Sequence, residues 1–160
     1  MSPGDVEILP RAINGLRRFG ELGLGLVIVT NQSAIGRGLL DLSGLNLIHA
    51  KLKDLLSRDG IVFDAIYYCP HLPSDGCICR KPEQGMLEQA TIELGLNPAK
   101  CFVIGDQASD IELGQRAGAI PFLVSTGGKT KGNETKSVVP AYYTDGLAEA
   151  ADVIGALLRE

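Results

Sequence analysis

The 160 residues contain no tryptophan and only four Phe and four Tyr. The fifteen Lys and Arg are neither gathered into a run nor interleaved with aromatics, so a nucleic-acid surface is not expected. Long hydrophobic runs are also missing. The longest apolar stretches are strand-sized, too short to span a bilayer, and no membrane partner is expected. The opening Met-Ser-Pro-Gly-Asp has no basic region followed by an apolar stretch, so nothing there reads as a leader. No low-complexity linker or internal repeat divides the chain. With a net charge of −4, these absences describe one mildly acidic domain, residues 1–160, cytoplasmic and long enough to bury a substantial core.

What is present is concentrated. Cys69, His71, Cys77 and Cys79 fall within eleven consecutive residues and abut Arg80-Lys81-Pro82. Thiolates plus an imidazole are the donor set of a tetrahedral structural zinc. The Cys-x-His and Cys-x-Cys pairs can each bite one metal from a short turn, while Pro70, Pro73 and Gly76 shape the loop between them. The competing reading is two disulfides. It is disfavoured by the close spacing of Cys77 and Cys79 and by the absence of a leader. A zinc loop over residues 69–79 is therefore expected. Cys101, in the apolar run Lys-Cys-Phe-Val-Ile-Gly, reads as a buried small hydrophobe rather than a ligand.

Helical and strand patterns alternate along the chain. Pro10 suits a first helical turn, and Ala12, Ile13, Leu16, Phe19 and Leu22 recur at helical spacing before Gly23. Leu24 to Thr30 is apolar throughout, as in a parallel strand covered on both faces, and ends in Asn31-Gln32-Ser33. Ser43 can cap a helix carrying Leu45, Ile48, Leu52 and Leu55. Then follow a strand at Ala65 to Tyr68, a helix at Met86 to Leu94, a strand at Cys101 to Ile104, a helix at Ser109 to Ala117 and a strand at Pro121 to Val124. Ser125 to Val139 is a mobile loop by composition, and an amphipathic helix at Leu147 to Leu158 closes the domain. Repeated strand-helix units imply an α/β fold, a three-layer α/β/α doubly wound parallel sheet.

Ligands bind such sheets beyond the carboxyl ends of the strands, where Thr30, Asn31, Ser33, Lys81, Asp106 and Asp110 can meet. A hydroxyl and an ammonium can hold phosphoryl oxygens, and Asp carboxylates are hard ligands for magnesium. Strand-end capping is the competing explanation for Gly105-Asp106 taken alone.

These residues resemble the haloacid dehalogenase (HAD) superfamily of phosphohydrolases, in the zinc-loop branch of the heptose bisphosphate and histidinol-phosphate phosphatases. The likeness spans nearly the whole chain. Val27-Ile-Val-Thr30-Asn-Gln-Ser33 resembles the second family motif, Tyr67-Tyr-Cys-Pro-His71 with Cys77-Ile-Cys-Arg-Lys81-Pro82 the zinc loop and third motif, and Ile104-Gly-Asp106 with Asp110 the fourth. The resemblance implies that Thr30 and Lys81 contact the transferred phosphoryl group, Asp106 binds magnesium and Asp110 supports that site. Asn31, Ser33, Arg37 and Arg80 would face a small phosphorylated sugar, with Arg37 and Arg80 as forked clamps for a second phosphate.

Two departures matter. The first family motif, an apolar strand ending in Asp-x-Asp, occurs nowhere in the 160 residues, and that motif supplies the nucleophile and the general acid–base in the family. Asp5 precedes a helix and is no substitute. The missing strand would lie at the sheet centre and leave a gap there, so that either the two flanking strands close up and pair directly or, the simpler reading, the natural protein begins further upstream. As it stands the chain is expected to be inactive, the alternative being a non-catalytic phosphate-binding remnant. Gln107 also stands where relatives often carry a basic residue that orders the active-site carboxylates.

Overall fold

The computed structural model describes residues 2–9, 11–125 and 138–159. Pro10 and most of the glycine-rich stretch expected as a loop lie outside these. The elements run α1 (Ala12–Glu21), β1 (Val27–Asn31), α2 (Ser33–Gly36), α3 (Leu42–Ser57), β2 (Ala65–Cys69), α4 (Gly85–Leu94), β3 (Phe102–Gly105), α5 (Ala108–Ala117), β4 (Ile120–Val124), β5 (Tyr142–Thr144) and α6 (Leu147–Leu157). All strand pairs are parallel, as expected.

Alternation along the strands makes the layers. Phe102, Ile104 and Phe122 join Phe19 of α1 and Ala150, Ala151 and Ile154 of α6 in one core. The intervening Val103 and Pro121 turn to the opposite face, where Gly114 of α5 lies against both. Phe122 is fully buried, stacked on Tyr142 at 4.8 Å and edge-on to Phe102 at 5.9 Å. Gly15 lets α1 lie directly on the α6 backbone; a Cβ there would overlap Leu147. A second core packs α4 through Met86 and Ala90 against Tyr67 and Cys69 of β2.

The sheet is divided. β1 pairs with β2, β3 pairs with β4 and β4 with β5, but β1 and β3 do not pair among the described residues. Burial reflects the break. Four of the five β4 residues are buried, whereas every residue of β1 and β3 is only half-buried, the reverse of an intact doubly wound sheet. Leu26 C=O accepts from Asp64 and Gln32 N–H donates to Cys69, so even-numbered peptides of β1 face β2 and those of Val27 and Val29 face the gap. By the same alternation Ile120 N–H bonds Cys101 C=O, leaving the Phe102 and Ile104 peptides on the gap side of β3. The two strands do not close up on each other, and the expected central gap is present among the described residues.

Local chemistry moves several boundaries. The strand expected from Leu24 starts at Val27, because the Leu26 N–H is taken by the Asp64 carboxylate at 2.8 Å rather than by a ladder partner. Asp41, not Ser43, caps α3, its carboxylate accepting from Gly44 N–H at 2.7 Å. Ser43 lies within the first turn of that helix. Cys101 is half-buried rather than buried, and its thiol donates to Asn97 C=O at 3.2 Å.

Candidate active site

β1 ends in Thr30-Asn31, α2 begins at Ser33, and the chain leaving β2 at Cys69 folds back so that Arg80 and Lys81 meet that strand end. The Lys81 ammonium, largely shielded, donates to Asp110 Oδ1 at 2.6 Å and to Val29 C=O at 2.9 Å. Val29 C=O is one of the β1 groups facing the gap, so the ammonium satisfies an acceptor that a ladder partner would otherwise take. Asp110, buried in the first turn of α5, uses its other oxygen on Gln107 N–H at 3.1 Å. It thus caps a helix and pairs with Lys81 at once.

Glycine at 105 makes this possible: a Cβ there would overlap Asp110 Cβ, Cγ and Oδ2. Asp106 follows directly at the carboxyl end of β3, half-buried, with a hard-oxygen carboxylate of the kind magnesium takes. Gln107 is exposed, and its peptide rather than its side chain serves Asp110.

On the β1 side, Asn31 makes two bonds to the Lys81 peptide, Oδ1 accepting from Lys81 N–H at 3.0 Å and Nδ2 donating to Lys81 C=O at 3.2 Å. Gln32 Nε2 donates to Thr30 Oγ1 at 3.1 Å, which leaves the threonine hydroxyl proton available to an acceptor. Sequence reasoning passed over Gln32; its position two residues beyond Thr30 was the available signal. Arg80 Nη1 bonds Ser33 Oγ at 2.7 Å and His71 C=O at 3.3 Å, so these two expected substrate-facing residues are in contact. Arg37, at the end of α2, is exposed and forms no ion pair among the described residues.

The cysteine–histidine loop gathers as its spacing suggests. Sγ of Cys69 lies 3.6 Å from Cys77 Sγ and 3.2 Å from Cys79 Sγ, Cys77 and Cys79 are 3.6 Å apart, and His71 Nδ1 is 3.6 Å from Cys69 and 3.2 Å from Cys79. All four donor atoms lie within 4.8 Å of one another. A tetrahedron with Zn–S near 2.3 Å has edges of about 3.5 to 3.8 Å, so the donor set fits one zinc ion. None of the cysteines is in a disulfide. Burial raises the Cys77 thiol, but the Arg80 backbone N–H and the Cys79 and Cys69 thiols outweigh it and bring it to about 7. Burial, then Cys69 and Cys77, push Cys79 up to about 12. One sulfur thus ionises at the expense of another, a conflict that a dication among them would relieve.

The family model described as HAD-hydrolase-like matches residues 78–150. A D-glycero-β-D-manno-heptose-1,7-bisphosphate 7-phosphatase of Bordetella bronchiseptica is 38% identical over 130 residues, which cover 81% of this chain and 73% of the relative. The chain belongs to the heptose bisphosphate phosphatase branch of the HAD-like hydrolases. A Pseudomonas aeruginosa enzyme of the same name is 39% identical over 119 residues, 74% of this chain and 67% of its own length. The crystal structure of the D,D-heptose 1,7-bisphosphate phosphatase from B. bronchiseptica, complexed with magnesium and phosphate, superposes with a TM-score of 0.88 at 34% identity, covering 98% of this chain and 88% of that one. No helix among the described residues is long and apolar enough to cross a membrane.

Proposed function

We propose that these residues form the phosphoryl site of a magnesium-dependent phosphomonoesterase acting on a sugar bisphosphate, D-glycero-D-manno-heptose 1,7-bisphosphate being the substrate its relatives indicate. The observation that carries this is the Lys81 ammonium, held by Asp110 and Val29 C=O beside Thr30 at the ends of β1 and β3. Lys81 and the Thr30 hydroxyl would hold phosphoryl oxygens, and the ammonium would offset charge that develops on them. Asp106 would hold magnesium, whose charge polarises the phosphoryl group when bound. Asp110 acts on that site through Lys81, since both its oxygens are already bonded. Arg80, steadied by Ser33, would take the second phosphate as a fork, with Arg37 a further guanidinium at the rim.

The zinc reading is structural: three thiolates and an imidazole fill a tetrahedron and leave no position for water. The ion would pin the loop that presents Arg80 and Lys81.

The attacking carboxylate is the part these 160 residues do not supply, for they contain no Asp-x-Asp. Its place in this reading is on a strand in the gap between β1 and β3. The residues as they stand then bind phosphate without turnover. A histidinol-phosphate activity is the second reading, supported by a Legionella pneumophila histidine biosynthesis bifunctional protein that is 34% identical over 113 residues but is matched over only 32% of its length.

The test is phosphate release from the heptose bisphosphate and from histidinol phosphate, by this chain and by the chain extended at its N-terminus with an apolar strand ending in Asp-x-Asp. The unextended chain should release none, and the extended one should hydrolyse the heptose bisphosphate in preference. A folded, extended chain that releases phosphate from neither substrate sinks the proposal.

A further inference from the structure

Resting on the reading of Lys81 as a phosphoryl ligand, we infer that the Asn31 side chain is a positioning residue that aims Lys81. The direction of its bonds is fixed by chemistry. A peptide N–H can only donate and a peptide C=O can only accept, so Asn31 must turn Oδ1 to Lys81 N–H (3.0 Å) and Nδ2 to Lys81 C=O (3.2 Å). This pair imitates a strand ladder where there is none, since Lys81 lies in neither a helix nor a strand. One rigid, half-buried side chain at the end of β1 thereby sets the place of the Lys81 backbone.

The ammonium needs that constraint. A lysine stem has four flexible carbons and could reach Asp110 from several backbone positions, so the ion pair alone does not fix its direction. With the peptide clamped by Asn31, the stem runs from a defined point to Val29 C=O and Asp110 Oδ1. The neighbouring pair repeats the device: Ser33, two residues beyond Asn31, holds Arg80, the residue before Lys81. The β1–α2 segment thus fastens consecutive basic residues of the zinc loop's exit. Asp at position 31 could accept from Lys81 N–H but would set a carboxylate against Lys81 C=O, and Ala could do neither.

The experiment uses inorganic phosphate with magnesium as the probe, titrated by NMR into the zinc-loaded chain and its Asn31→Ala, Asn31→Asp and Lys81→Ala variants. Lys81 amide hydrogen exchange and the thermal midpoint are recorded on the same samples. Lys81→Ala should abolish phosphate binding. Asn31→Ala should bind phosphate about tenfold more weakly, the scale of one lost hydrogen bond, and exchange the Lys81 amide at least about tenfold faster, with zinc content unchanged and the midpoint within about 3 °C. Asn31→Asp, keeping the acceptor only, should fall between. Wild-type affinity, or a wild-type Lys81 exchange rate, in Asn31→Ala overturns the inference, as does weakened binding that tracks a general loss of stability. If the wild-type chain does not bind phosphate, or Lys81→Ala binds it as tightly, the phosphoryl reading fails instead, and Lys81 amide exchange still decides whether Asn31 holds that backbone.

Discussion

Replacing Gly105 by alanine places a methyl group where the Asp110 side chain now lies. Asp110 cannot yield without cost. It is 6% exposed, and its two oxygens are engaged by Lys81 Nζ at 2.6 Å and Gln107 N–H at 3.1 Å. Displacing it leaves the Lys81 ammonium, whose side chain is 14% exposed, with only the Val29 carbonyl, and uncaps the first turn of α5. Breaking a buried pair by removing one partner costs about 3 to 5 kcal/mol, and partial relaxation of the strand end puts Gly105→Ala near the lower figure. For a domain of this size about 3 kcal/mol corresponds to a fall of about 6 to 12 °C in Tm. The assay is thermal and urea unfolding followed by circular dichroism at fixed zinc, run as a double-mutant cycle with Asp110→Gly. Once the Asp110 side chain is gone, the added methyl should cost less than about 1 kcal/mol. A drop below about 2 °C for Gly105→Ala alone would refute the reasoning. So would an equal drop in the Asp110→Gly background, which would place the strain elsewhere.

Chelating zinc, or changing the buried Cys69 to Ser, should lower stability by about 2 to 4 kcal/mol, the scale of a cross-link closing a short loop; metal analysis of the purified chain reads the stoichiometry, expected at one ion per chain. Phe122→Ala removes a fully buried ring between Phe102 and Tyr142 and should cost about 3 to 5 kcal/mol in urea unfolding, far more than the exposed Val62→Ala. Arg80→Ala should weaken heptose bisphosphate binding about tenfold while inorganic phosphate affinity stays within about twofold, as titration calorimetry of both ligands would show.

The cysteine–histidine cluster was legible because three thiols and an imidazole in eleven residues have few other uses, and the helices because their apolar spacing matches the faces now buried on α1, α4 and α6. Grouping Lys81 with Asp110 followed from topology, since both stand at strand ends of a parallel sheet. What stayed hidden was which atom serves which. Asn31 and Gln32 look alike in a polar strand-end run, yet one clamps the Lys81 peptide and the other bonds Thr30 Oγ1. Asp41 and Ser43 are both good caps, and only the reach of the carboxylate to Gly44 N–H decides between them. β5 escaped because Tyr142-Tyr-Thr is three residues long and becomes a strand only by pairing with β4. Arg37 shared the guanidinium chemistry of Arg80, but an exposed position at the end of α2 gives it no Ser33 to hold it.

A crystal of this chain grown with magnesium and inorganic phosphate tests the phosphoryl site most directly. Phosphate should be found bonded to Lys81 Nζ and Thr30 Oγ1 at the mouth of the gap between β1 and β3, with magnesium on Asp106. Phosphate bound elsewhere, or that mouth left empty at saturating phosphate, would contradict the assignment.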